Sequence, residues 1–154
     1  MNGVMHKGSS EEASERPLAK IAFRDEEGDV ETLWAFDLGN NHYALDNTSW
    51  FQYGVSYKDI VEALPQADGL PLFTRVVKKS GYRTLRVRHE ERVPQQLLDR
   101  LVKLGCSYEG ANPKFIAIDV PPEAVLSAIV NELVSSKAEW EHADPTYEQL
   151  HGNA

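Results

Sequence analysis

The chain has 154 residues, 42% of them hydrophobic and 26% charged, which suits one ordinary globular domain or two small ones sharing a core. Its apolar runs, such as Phe115-Ile116-Ala117-Ile118, are only a few residues long, far below the roughly 18 that span a bilayer. The N-terminus lacks the apolar stretch of a secretory signal, and the single cysteine, Cys106, excludes an internal disulfide, so a reducing cytoplasm is the expected location.

The formal charge of −8 is unevenly placed: residues 1–71 carry a net −8, residues 72–104 a net +6 and residues 105–154 a net −6. An acidic protein with one basic segment is a poor general binder of nucleic acid, because its outer field repels phosphate. It suits a basic protein partner, or the charge simply keeps the chain in solution.

Residues 1–17 are polar, Ser/Glu-rich and aperiodic, and are expected to form a disordered leader. From 18 to 80 the signals are β. Ile21 and Phe23 alternate with Lys20, Ala22 and Arg24, and Asp25 to Asp29 turns the chain. Val30 to Asp37 returns with Val30, Thr32, Trp34 and Phe36 on one face and Glu31, Leu33, Ala35 and Asp37 on the other. Gly39-Asn40-Asn41 can adopt positive φ, which makes a tight hairpin into His42–Leu45. After an irregular aromatic stretch, Asp59–Leu64 and Leu72–Val77 read as two more strands. Strands so spaced predict a meander curling into a small barrel.

From Tyr82 the period changes. Tyr82–His89 is a strand with Leu85 and Val87 on one face and Thr84, Arg86 and Arg88 on the other. Pro94 suits the first turn of a helix carrying Leu97, Leu98, Leu101, Val102 and Leu104, and Gly105 suits its end. Cys106–Glu109 and Lys114–Val120 are strands joined by a Gly-Ala-Asn-Pro turn. Pro121-Pro122-Glu123 opens a second helix with Val125, Leu126, Ile129, Val130 and Leu133 inward, and Ala138–His142 is a last strand. This β-α-β-β-α-β order predicts a ferredoxin-like unit over 81–144. Residues 145–154 fade into a flexible tail. The expected whole is α+β: a β meander or small barrel that packs on, or shares a sheet with, the ferredoxin-like unit, without a flexible linker.

The blocks LWAFDLGNNHYALDN, YGVSYKDIVEA, FTRVVKKSGYRTLRV and LGCSYEG with a following IDVP resemble, in this order, the bacterial family catalogued as domain of unknown function 4265, over most of residues 30–143. The resemblance implies a small bacterial cytoplasmic protein; it carries over no activity, cofactor or catalytic residue.

The candidate surface is the stretch 45–59. Residues 34–57 hold seven of the chain's 14 aromatics, and Tyr and Trp combine large apolar area with a polar tip, which suits a contact surface. The candidate binding residues are Asp46, Asn47, Trp50, Phe51, Tyr53, Tyr57 and Asp59. The bland alternative is that the rings plug the barrel and the polar groups cap turns. An acid–base set would use Asp46, Asp59, Tyr57 and His42, but no spacing demands it. The five histidines form neither HxH nor HExxH, so no metal or other cofactor is expected. No GxxxxGK, GxGxxG or GxSxG occurs, which weakens nucleotide and hydrolase readings. In a ferredoxin-like sheet Arg86, Arg88, Phe115 and Asp119 share the face away from the helices; this is too few aromatics for stacking RNA bases, so either acidic residues such as Glu62 offset the arginines or the N-terminal sheet covers that face.

Three functions follow. The first is a non-catalytic protein-binding domain, such as an immunity protein presenting the aromatic loop and acidic turns to a basic toxin. The second is a small-molecule sensor or regulatory domain, its ligand held between the two parts. The third is an enzyme using carboxylate and Tyr residues of 42–59. No membrane role is expected.

Overall fold

The computed structural model describes residues 13–152; most of the expected leader, residues 1–12, lies outside them. The chain divides into two compact units, one holding the residues up to Asn47 together with Lys58–Ser80, the other Thr48–Tyr57 together with the chain from Gly81 onward. The fold is mixed α+β, with mostly antiparallel strands in two separate sheets rather than a shared one.

The first unit is a closed five-stranded barrel of β1 (Leu18–Arg24), β2 (Val30–Gly39), β3 (His42–Leu45), β4 (Ile60–Leu64) and β5 (Leu72–Lys78). Neighbours in sequence pair antiparallel, and β1 meets β5 in parallel at Ala22 and Leu72 to close it. Asp25 starts the first turn by accepting the N–H groups of Glu27 and Asp29 at 2.9 Å each. Asn40 and Asn41 both hold positive φ, 56° and 64°, which gives the tight turn expected from their sequence.

Ile21, Phe23, Leu33, Ala35, Val61 and Ala63 fill the interior, and Phe23 stacks on Phe73 at 4.6 Å. Alternation along β2 is as expected, and the inward set is Glu31, Leu33 and Ala35, while Val30 and Trp34 face outward. A barrel of few strands has a narrow interior, which Leu and Ala fit and Trp does not. Trp34 instead lies under the Lys20 ammonium, 4.9 Å from its ring centre.

The second unit holds β6 (Arg83–Arg88), α1 (Gln95–Lys103), β7 (Ser107–Asn112), β8 (Phe115–Val120), α2 (Leu126–Ser136), β9 (Glu139–Asp144) and α3 (Tyr147–His151). Its sheet order is β7-β8-β6-β9, every neighbour antiparallel. Leu85, Val87, Ile116, Ile118 and Val120 of the sheet form one core with Leu97, Leu98 and Leu101 of α1 and Ile129 and Leu133 of α2. α1 stops where Gly105 takes φ 103° and Cys106 N–H returns to Leu101 O at 3.0 Å. Val102 and Leu104, which continue the apolar spacing in the sequence, are exposed.

The second helix begins later than its prolines suggest. Pro121–Val125 is a turn, clamped by the Arg83 guanidinium, which donates to Pro121 O at 2.6 Å and Ala124 O at 2.8 Å. Val125 therefore precedes the helix and points to solvent. Gly81 is required beside this turn, since it holds φ 96° and a Cβ there would meet Pro122 Cγ at 3.0 Å. Within the stretch expected as a tail, α3 forms behind a capping box of Thr146 and Gln149. No helix among the described residues is long and apolar enough to cross a membrane.

Candidate functional site

The seven sequence-predicted residues divide between the two units. Asp46, Asn47 and Asp59 stay with the barrel, where the Asn47 and Asp59 side chains hold backbone. Asn47 Oδ1 accepts Trp34 N–H at 2.7 Å, and Asp46 N–H donates to Trp34 O at 2.9 Å. Burial raises the Asp46 carboxyl above its ordinary value, against the opposing pull of Lys58. Asp59 is fully buried and accepts the Lys79 ammonium at 2.5 Å on one oxygen and Ser80 N–H at 2.7 Å on the other. His42 stands opposite Glu62 on the neighbouring strand. The Glu62 carboxyl is held below its usual range, first by the Thr74 hydroxyl at 2.6 Å and then by Arg75. Tyr57, the fourth member of the expected acid–base set, belongs to the other unit and meets Tyr82 edge to face at 5.1 Å.

Trp50, Phe51, Tyr53 and Tyr57 lie on Thr48–Tyr57, which belongs with the second unit although its place in the chain put it in the β-rich segment. This segment covers the sheet face opposite the helices, where Thr84, Arg86, Ala117 and Asp119 are all buried. The sequence left open that the N-terminal sheet would do so. Polar anchors, rather than apolar packing alone, fix it there.

At one end the buried Thr48 hydroxyl donates to Asp119 Oδ1 at 2.5 Å, and Thr48 N–H donates to Glu109 Oε2 at 3.3 Å. The Ser107 hydroxyl donates to the other Asp119 oxygen at 3.4 Å. Burial, reinforced by the nearby Glu109 charge, pushes the Asp119 carboxyl up to about 6, although the hydrogen bonds from Thr48 and Ser107 pull it down. In the middle Ser49 Oγ accepts the N–H groups of Phe51 and Gln52 at 3.2 and 2.8 Å, a short turn closed by its own side chain. The Arg86 guanidinium, 2% exposed, donates to the carbonyls of Ser49 and Gln52. At the far end the Ser56 hydroxyl donates to Asp144 Oδ2 at 2.5 Å, 2.7 Å from the Thr84 hydroxyl. Gly54 N–H reaches Ala143 O at 2.9 Å.

Segment and sheet form a cleft of about 270 Å³, walled by Trp50, Phe51, Tyr53 and Phe115 with Arg86, Arg88, Glu139 and Glu141. Arg86 pairs with Glu141 at 3.3 Å and lies 5.0 Å from the Tyr53 ring centre. Arg88 lies 4.4 Å from the centre of Phe115, and Phe51 leans on Phe115 at 5.8 Å. The Tyr53 hydroxyl donates to Glu141 Oε1 at 2.7 Å, which is the main reason its pKa is raised. Phe51 and Tyr53 nevertheless stay 57% and 55% exposed, on the rim.

Strand alternation in the sequence already put Arg86, Arg88, Phe115 and Asp119 on one face. It gave no sign that Thr48, Ser49 and Ser56 would bond to residues far along the chain, so Glu109, Glu139, Trp140 and Glu141 went unnoticed. The cleft brings aromatic rings together with charged side chains, of which Arg86 and Glu141 are paired. Among the described residues no group of three His, Cys, Asp or Glu could hold a metal ion. Cys106 is buried and its thiol is pushed up to about 11 by that burial, so it carries no thiolate at neutral pH.

Comparison with curated proteins finds no match. Among solved structures the fold is similar to the crystal structure of a hypothetical protein from Neisseria gonorrhoeae, with a TM-score of 0.72, 17% sequence identity and coverage of 83% of this chain and 95% of that one. At that identity the likeness speaks for the fold alone. The family model described as domain of unknown function (DUF4265) matches residues 31–143, the same blocks that span the closed barrel, the anchored aromatic segment and the four-stranded sheet, and the chain belongs to that family.

Proposed function

We propose that this is a non-catalytic protein-binding domain whose contact surface is the aromatic cleft of the second unit. The observation that carries the reading is the pair Phe51 and Tyr53, which remain more than half exposed on a backbone fixed by buried polar anchors. Rings held rigid beside an opening lose little entropy when a partner covers them, and Trp, Tyr and Arg are the residues that most often dominate binding energy. We read the second unit as ferredoxin-like: its strand order and two helices on one face support that assignment. The surplus of acidic residues supports a basic partner, of the kind an immunity protein neutralises.

The test is affinity capture from the native host with the wild-type chain, the double variant Phe51→Ala/Tyr53→Ala, and Val125→Ser as an exposed control outside the cleft. The proposal expects one stoichiometric basic protein, kept by Val125→Ser and lost by the double variant while its circular dichroism is unchanged. An identical captured set for all three chains rejects the surface.

A further inference from the structure

We infer that the partner joins this protein by adding a strand to the open edge of β9, and that the strand is basic on one face and apolar on the other. This inference rests on the protein-binding reading above and specifies its mode. β9 is an edge strand, with β6 on one side only. Every second N–H and C=O of such a strand points away from its sheet. The C-terminal end, His142 to Asp144, is closed, because Ala143 O accepts Gly54 N–H, Ala143 bridges to Thr146, and α3 packs on β9 with His151 near His142. The other end, Glu139 to Glu141, runs along the cleft, whose wall includes Glu139 and Glu141. Backbone hydrogen bonding and an aromatic pocket therefore lie side by side, the combination used in recognition by strand addition.

Side-chain chemistry selects the strand. Glu139 and Glu141 are exposed and share the cleft face with Arg86 and Arg88, their register partners being Arg88 and Arg86. Glu141 is engaged by Arg86 and Tyr53, whereas Glu139 makes no ion pair among the described residues. A Lys or Arg opposite Glu139 forms a cross-strand pair of opposite charge and lays its stem along the rim rings. On the other face Trp140, half-buried against the core, favours an apolar neighbour. The same acidic edge disfavours pairing with a second copy of itself, since Glu would then stand near Glu. On the opposite edge strand, β7, Glu109 O already accepts Trp50 Nε1–H at 3.3 Å.

The probe is a set of synthetic heptapeptides Lys-X-Lys-X-Lys-X-Lys, with X drawn from Val, Ile, Phe and Tyr. Two copies of the best binder accompany it, one N-methylated at alternate amides and one with Glu for Lys. Binding is followed by amide NMR shifts and hydrogen exchange on the full chain. The inference expects a member with a dissociation constant below about 1 mM, new protection confined to Glu139–Glu141, binding at least about tenfold weaker for the N-methylated copy, and none for the Glu copy. It is overturned if no member binds, if N-methylation changes nothing, or if protection falls on Ser107–Asn112. Phe51→Ala/Tyr53→Ala separates the two ideas. Loss of binding in that variant with indifference to N-methylation keeps the aromatic surface and rejects strand addition. Strand protection unchanged in the variant does the reverse.

Discussion

Asp119→Asn removes a buried carboxyl that is pushed far from its ordinary range. Asp119 is 4% exposed, and its carboxyl lies at about 6 against an ordinary 3.8. That difference corresponds to about 3 kcal/mol between the neutral and ionised forms. Because the folded value is the higher one, the stability from this group is fully present below about pH 4. It is lost as pH rises through about 6. Asparagine keeps an oxygen to accept the Thr48 hydroxyl but cannot ionise. The variant is therefore expected to match wild type near pH 4 and to exceed it by up to about 3 kcal/mol near pH 8. Urea denaturation followed by fluorescence measures this, with Trp34→Phe as background so that Trp50 and Trp140 report on the second unit. A variant that is less stable than wild type at both pH values would refute the reasoning, because Asp119 would then be held by compensating partners rather than strained by burial.

Three further results follow from the same geometry. Phe51→Ala and Tyr53→Ala truncate exposed rings, so each should cost no more than about 1 kcal/mol in the same denaturation assay, and a loss several times larger would mean that the rim is core. Asp59→Ala removes the buried acceptor of Lys79 and Ser80 N–H and is expected to cost about 1–3 kcal/mol; the Trp34 signal of the barrel reports it, and no loss would show that the 79–80 turn needs no such anchor. Cys106, buried with a thiol at about 11, should react with a disulfide reagent at pH 8 only after urea is added, and rapid labelling of the native chain would contradict that burial.

The parts legible in the sequence are those set by local chemistry. Asn40 and Asn41 announced their turn because few residues tolerate positive φ. Ile21 and Phe23, or Leu97 and Leu101, announced buried faces through their periods. The side of β2 that faces inward was not legible, because barrel width, not hydrophobicity, decides between Leu33 and Trp34. Nor was the start of α2, where the Arg83 clamp overrides the two prolines. The candidate stretch was legible as a surface by its rings. Its division was not, since Asn47 and Thr48 are adjacent yet take their partners from different units. A hydroxyl meeting a carboxylate 71 residues away leaves no local trace.

Photo-crosslinking in the native host tests the proposed contact surface most directly, with benzoylphenylalanine placed at Phe51, at Tyr53 and, as control, at Val125. The account expects a single basic protein joined to the chain from positions 51 and 53 and not from 125. Adducts that are the same at all three positions, or absent from 51 and 53 alone, would contradict it.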